Sequence, residues 1–206
     1  MPPRKKAAVK SAPRDPERTR RRILAAALKE FSARGFSGAR VDAIAARAGA
    51  NKRMLYHYFG HKVGLFRAVL RHKMRERLQR VESQLPATDF NSTLPLWFKQ
   101  NCKDVDWVRL LAWESLQSNR NPVLDEKERR RFYLRSHAVL REKQAAGYLR
   151  RDVKTEFLQL AKVSLAMFPM ALPQVARIIL GRSPHDARFQ SEYVRFLETI
   201  AVWFRP

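Results

Sequence analysis

Apolar residues recur at helical spacing along most of the chain, and no segment shows the sustained one-in-two alternation of a half-buried strand. Asp15-Pro16-Glu17 supplies a capping carboxylate, a proline suited to the first helical position and an acid in the first turn, so a helix starts there. Ile23, Ala27, Leu28 and Phe31 form its apolar stripe, Gly35 suits a left-handed stop, and Phe31 and Phe36 are spaced to close that end. A short helix over 41–48 buries Val41, Ile44, Ala45 and Ala48, and Gly49 ends it in a second left-handed turn. Asn51 then caps a third helix over 52–59, which stops near Gly60 and is anchored by Leu55 and Phe59. Two short helices about a glycine turn make a helix-turn-helix.

A long helix over 62–84 follows, with Leu65, Phe66, Val69 and Leu70 inward, and Pro86 breaks it. Further helices are predicted over 92–102, 104–118, 122–146, 154–168, 170–180 and 185–204, with Pro169 and Pro173 kinking or dividing the fifth of these. The predicted fold is therefore all-α: an N-terminal three-helix helix-turn-helix domain over 15–62, then a larger helical domain over 63–206. Residues 1–14 hold Pro, Ala, Lys and Arg with little apolar content, and read as a disordered basic arm.

Charge changes this picture from architecture towards a partner. The net charge is +23, and it is concentrated: residues 1–80 carry 22 Lys and Arg against 5 Asp and Glu. A localised positive surface is the footprint of a polyanion binder, because neutralised phosphates release condensed counterions. The apolar window at 157–180 is interrupted by Lys162, Pro169, Pro173 and Arg177, so no membrane span is expected. The basic N-terminus has no apolar stretch behind it, unlike a secretory signal peptide, which implies a cytoplasmic location. Single Cys102 offers neither an internal disulfide nor a cysteine-rich zinc site. Enzyme signatures such as G-x-S-x-G, the P-loop, H-E-x-x-H or a dinucleotide fingerprint are missing, so no catalysis and no cofactor are expected. His57 and His61 have a metal-ligand spacing, but Gly60 interrupts the helix between them and no third ligand accompanies them, so no metal is expected.

In a helix-turn-helix the N-terminal side chains of the second helix meet base edges in the major groove. Here these are Asn51, Lys52, Arg53 and Met54: amide and guanidinium forks for adenine and guanine, an ammonium for guanine or phosphate, and a thioether for a thymine methyl. Tyr56, His57 and Tyr58 can donate to phosphate oxygens, with simple packing as the alternative for both tyrosines. Two helix starts carry cations where the macrodipole disfavours them, at Arg40 and at His61-Lys62. A phosphate bound there would reverse the sign, so Lys62 and Arg40 are expected to clamp the DNA backbone.

The stretch 20–69, with Gly35-Phe36, Val41-Asp42-Ala43-Ile44-Ala45, Ala48-Gly49, Leu55-Tyr56-His57-Tyr58-Phe59 and Lys62, resembles the DNA-binding domain of TetR-type (tetracycline-repressor-like) regulators. Tyr56-x-Tyr58-Phe59 followed by Lys62 is its most distinctive part. The resemblance implies phosphate contacts at Tyr56, Tyr58 and Lys62, and a divergent helical domain that dimerises through its last two long helices. Arg40 stands where that family usually has Thr or Ser, and Arg53 where a small residue is common.

These readings converge on a sequence-specific transcriptional regulator, a ligand-released repressor binding a palindromic double-stranded operator as a homodimer. Segments 169–180 and 193–204 are expected in its interface, with Phe196, Ile200 and Trp203 along one face. A nonspecific architectural protein bound to nucleic acid by charge alone is the alternative. Aromatic and flexible residues on several helices of the larger domain point to a small apolar or aromatic effector, with ordinary core packing as the alternative for each taken singly. The resemblance adds the expectation of a cavity, for which Trp113 and Phe168 are the first candidate lining residues and Trp97 and Met167 the next.

Overall fold

A computed structural model describes residues 15–84, 90–118, 123 and 125–206. Residues 1–14, where the basic arm is expected, lie outside the described residues. Among those described the structure is helical throughout and has no strand. The order is α1 (Pro16–Gly38), α2 (Val41–Ala48), α3 (Lys52–Phe59), α4 (Lys62–Gln84), α5 (Phe90–Lys103), α6 (Val105–Ser118), α7 (Glu126–Ala145), α8 (Thr155–Ala171), α9 (Pro173–Leu180) and α10 (Ala187–Val202).

The first helix starts as its sequence dictates: the Asp15 carboxylate accepts from the Arg18 N–H at 3.0 Å, and Pro16 occupies the first turn. It breaks at Gly35, whose φ of 67° and ψ of 179° only glycine adopts without strain. The same glycine admits the Trp113 indole of α6, since a Cβ there would stand 2.8 Å from the ring. Past the break, Phe36 folds back on Phe31 and Phe66, with ring centroids 6.2 and 5.4 Å away, knitting α1, its tail and α4 together. Ile23, Ala27, Phe31, Ile44, Leu55 and Val69 are buried in the resulting core.

That core continues without interruption into α5, α6, α8 and α10 through Leu94, Phe98, Val108, Leu110 and Leu197. A smaller cluster of Leu140, Leu149 and Leu158 ties α7 to α8. The expected helix boundary at Pro169 is corrected. Helix α8 runs through this proline to Ala171, and the chain turns only before Pro173, where α8 and α9 meet at 85°. A proline within a helix frees the carbonyl four residues earlier. Here that is Leu165, whose oxygen instead accepts from the Tyr193 hydroxyl at 3.0 Å, and the next carbonyl, Ala166, accepts from the Asn101 amide at 2.8 Å. Tertiary donors from α10 and α5 thus meet two carbonyls of a helix that continues through its own proline. No single helix among the described residues is long and apolar enough to cross a membrane.

Candidate nucleic-acid interface

Asn51 caps α3 with its own side chain, the amide oxygen accepting from the Met54 N–H at 2.9 Å. That bond fixes the entry of the reading helix, and it occupies one arm of the fork a bidentate adenine contact needs. Asn51 keeps only its amino group for a base. On the first turn, Lys52 pairs with Asp42 of α2, its ammonium 3.1 Å from one carboxylate oxygen and 3.3 Å from the other. The hydrogen bond to Asp42 raises the Lys52 pKa above its ordinary value. Arg53 is exposed and makes no hydrogen bond or ion pair among the described residues, so its guanidinium is unencumbered. Met54 is half-buried, and Leu55 fills the core at 2 % exposure.

Tyr56 and His57 stand exposed on the outer face of α3. Tyr58 turns inward, half-buried against the core between the rings of His57 and Phe59, at 5.5 and 6.1 Å. Tyr58 is thus packed against the core, whereas Tyr56 is 43 % exposed. Arg20 of α1 lies 5.8 Å over Phe59, and Arg22 donates to the Gly49 carbonyl at 3.3 Å, bringing α1 cations to the edge of the turn.

The two cationic helix starts have different supports. At α2 the Arg40 side chain makes no cap bond, but its backbone N–H donates to Glu30 of α1 at 3.2 Å. Glu30 is 4 % exposed and also pairs with Arg34 at 3.4 Å. The buried carboxylate thus holds the N–H of the N-cap residue itself, while the first-turn N–H groups of α2 have no side-chain cap. At α4 the His61 ring caps the helix, its Nδ1 accepting from the Gly64 N–H at 3.0 Å. Lys62 reaches back to the Ser37 carbonyl at 3.2 Å and lies 5.0 Å over the Phe36 ring. Partial burial lowers its pKa from the ordinary value, against the pull of Glu30. The Lys62 ammonium and the exposed Arg40 guanidinium therefore flank α3 at two helix N-termini.

Glu30 and Arg22 escaped sequence reasoning. Glu30 carried a signal, since it stands seven residues after Ile23 on the stripe that α1 buries. Arg22 carried none, because its partner is 27 residues distant in sequence.

Of the expected effector residues, Trp97 and Met167 come together and the other two do not. Trp97 and Met167 line a cavity of about 20 Å³ with Met74, Arg77 and Trp107. Trp113 packs on Gly35 at the junction of α6 with α1, on a different face of α6 from Trp107 and Leu111. Phe168, one residue and about 100° beyond Met167, is 43 % exposed and shares the outer face of α8 with Phe157. Apolar character alone could not separate inward from outward aromatics.

A family model described as "Bacterial regulatory proteins, tetR family" matches residues 23–69, and one described as "Tetracyclin repressor-like, C-terminal domain" matches residues 97–195. The chain is 34% identical over 170 residues to the HTH-type transcriptional repressor SCO4008 of Streptomyces coelicolor, covering 82% of this chain and 88% of that protein. It is 27% identical over 197 residues to the HTH-type transcriptional repressor NicS of Pseudomonas putida, covering 90% and 92% respectively. Among solved structures, the putative transcriptional regulator SCO4942 from Streptomyces coelicolor superposes with a TM-score of 0.72 at 24% identity, over 91% of this chain and 98% of that one.

Proposed function

Because the chain belongs to the tetR family of bacterial regulatory proteins, and so is a DNA-binding transcriptional regulator, we propose that it is a repressor that binds a palindromic operator as a homodimer and leaves it when a small apolar or aromatic effector binds. The observation that carries this reading is the outer face of α3. Arg53, Tyr56 and His57 project there from a rigidly capped helix, with Lys62 and Arg40 at helix N-termini beside it. Base recognition falls to Arg53, assisted by Lys52, Met54 and the Asn51 amino group, and backbone positioning to Tyr56, His57, Lys62 and Arg40. The unit that reads DNA spans 15–62, and the unit that senses ligand and dimerises spans 63–206.

Dimerisation is supported by apolar side chains left outward on the last helices. Phe168 of α8, Phe196 of α10 and Trp203 just past the end of α10 are 43, 45 and 66 % exposed. Two copies joined through these helices present two reading helices to successive turns of one DNA face. Signal transfer is supported by α4, a single helix with Lys62 at its start and Met74 and Arg77 against the interior cavity. Lys62 and Arg77 are about 22 Å apart along its axis. A ligand that favours one setting of α4 over the other shifts the population away from the DNA-competent dimer, by no more than its differential affinity.

Footprinting on DNA selected by the protein, with light scattering of the free protein, tests this reading. A single protected palindrome and a dimeric mass are expected. A ladder of weak protection without a defined site would identify a nonspecific electrostatic binder instead.

A further inference from the structure

Three cations are buried within the helices behind the reading head: Lys73, Arg77 and Lys162, at 7, 4 and 4 % exposure. Carboxylates close to them are fewer. Asp104 lies 2.7 Å from Lys73 and 3.8 Å from Arg77, and the more exposed Glu76 is shared between Lys73 and Arg80. Lys162 meets no carboxylate at all among the described residues; its neighbours are the Ser136 hydroxyl at 3.4 Å and the Trp97 ring at 4.9 Å. Arg77 is incompletely satisfied as well. Its Nη2 donates to Asn101 at 2.8 Å, and its buried Nη1 has no acceptor within hydrogen-bond distance, Asp104 Oδ2 standing 3.8 Å away from that same nitrogen. The Gln159 amino group, whose own Oε1 accepts from Ser136, is likewise buried without an acceptor. Buried donors without acceptors, and buried cations without counter-charges, are costly, and a negatively charged acceptor relieves both.

These groups surround aromatic surface. The Arg77 guanidinium lies 5.8 Å from the Trp97 ring and 5.6 Å from the Trp107 ring, and all three line the cavity of about 20 Å³. Met74 also lines a second, more open cleft of about 230 Å³ whose wall carries Arg71, Arg75, Arg129, Arg131 and Arg135 against Asp125 and Glu128. A cleft rich in one sign of charge concentrates ligands of the other.

We infer that the effector is a small planar aromatic carboxylate, entering by the arginine-lined cleft past Met74, with its carboxylate on Arg77 Nη1 and its ring against Trp97 and Trp107. Lys162 supplies further positive charge from the face of Trp97. The cavity takes about one water at its present size, so Met74 and Met167 must change rotamer to admit a ring, which their flexible thioether chains do readily. This class rests on the reading of the domain as an effector sensor, and it narrows that reading to one chemistry.

The test uses the full chain without DNA, followed by tryptophan fluorescence and thermal shift. Benzoate, phenylacetate and indole-3-carboxylate are compared with their primary amides. The acids should saturate and raise the melting temperature, and each amide should bind roughly tenfold or more weakly. Lys162→Met should narrow that ratio by reducing acid affinity while leaving amide affinity unchanged. Equal binding of acids and amides, binding by neither, or chloride reproducing the benzoate effect would overturn the inference, and operator binding would still stand. Acids that bind selectively yet leave the footprint intact would overturn their role as effectors and leave only a binding site.

Discussion

Replacing Lys162 by Met should make the protein more stable at neutral pH, the reverse of what most core substitutions do. The ammonium is buried on α8 with no carboxylate partner among the described residues, and burial pushes its pKa down from 10.5 to about 8. At about 1.4 kcal/mol per pKa unit, holding the charge inside costs about 3 kcal/mol. The Trp97 ring offsets part of this, since a desolvated cation over an indole gains up to about 2 kcal/mol. Methionine matches the lysine stem in length, and Ser136 and Gln159 keep the 2.7 Å bond they make to each other. The variant should gain about 1 to 3 kcal/mol at pH 7. The pH dependence carries the sign of the cause. Below about 8 the lysine is charged in both folded and unfolded states and the penalty is constant. Between about 8 and 10.5 the folded state releases its proton first, so the unfolded state binds more protons and wild-type stability rises with pH relative to the variant. Urea unfolding of both proteins at pH 7 and pH 10 measures the difference, from which background titrations cancel. A variant less stable than wild type at pH 7, or a gap that does not shrink towards pH 10, would refute the reasoning.

Replacing Lys62 by Ala should weaken binding to every DNA sequence and lower the salt slope by about one, measured by anisotropy titration across salt concentrations. Arg53→Ala should cost about 1 to 3 kcal/mol on the selected site and relax preference at one base pair; equal loss on all site variants would reassign it to the backbone. Gly35→Ala should destabilise the fold by about 1 to 3 kcal/mol or more in urea unfolding, because the backbone there is in a glycine-only region and the new Cβ would press on the Trp113 ring. Trp203→Glu should shift the free protein towards monomer in sedimentation and weaken operator binding in parallel; an unchanged dimer would move the interface elsewhere.

Local chemistry determined the reading head. Capping at Asp15 and Asn51, the left-handed stop at Gly49 and the 3.6-residue stripe of Ile23, Ala27 and Phe31 act within one or two turns of chain, so their outcome is legible in the residues alone, whereas Gly35, expected as a left-handed stop, breaks α1 with a ψ of 179° and the helix runs on to Gly38. What the sequence could not carry were the relations between helices. The proline at 169 reads locally as a break, yet α8 continues through it, and Tyr193 and Asn101, distant in sequence, meet two of its carbonyls. Arg40 reads as a helix start without a side-chain cap and is one, but that its own N–H is held by Glu30 of α1 was not visible. Trp97, Trp113, Met167 and Phe168 are alike in composition, and only the rotation of each helix against its neighbours sends two to a cavity, one to Gly35 and one to the surface. An uncompensated charge such as that of Lys162 belongs wholly to the folded state, because a lysine has a counter-charge or lacks one only when the rest of the chain is packed around it.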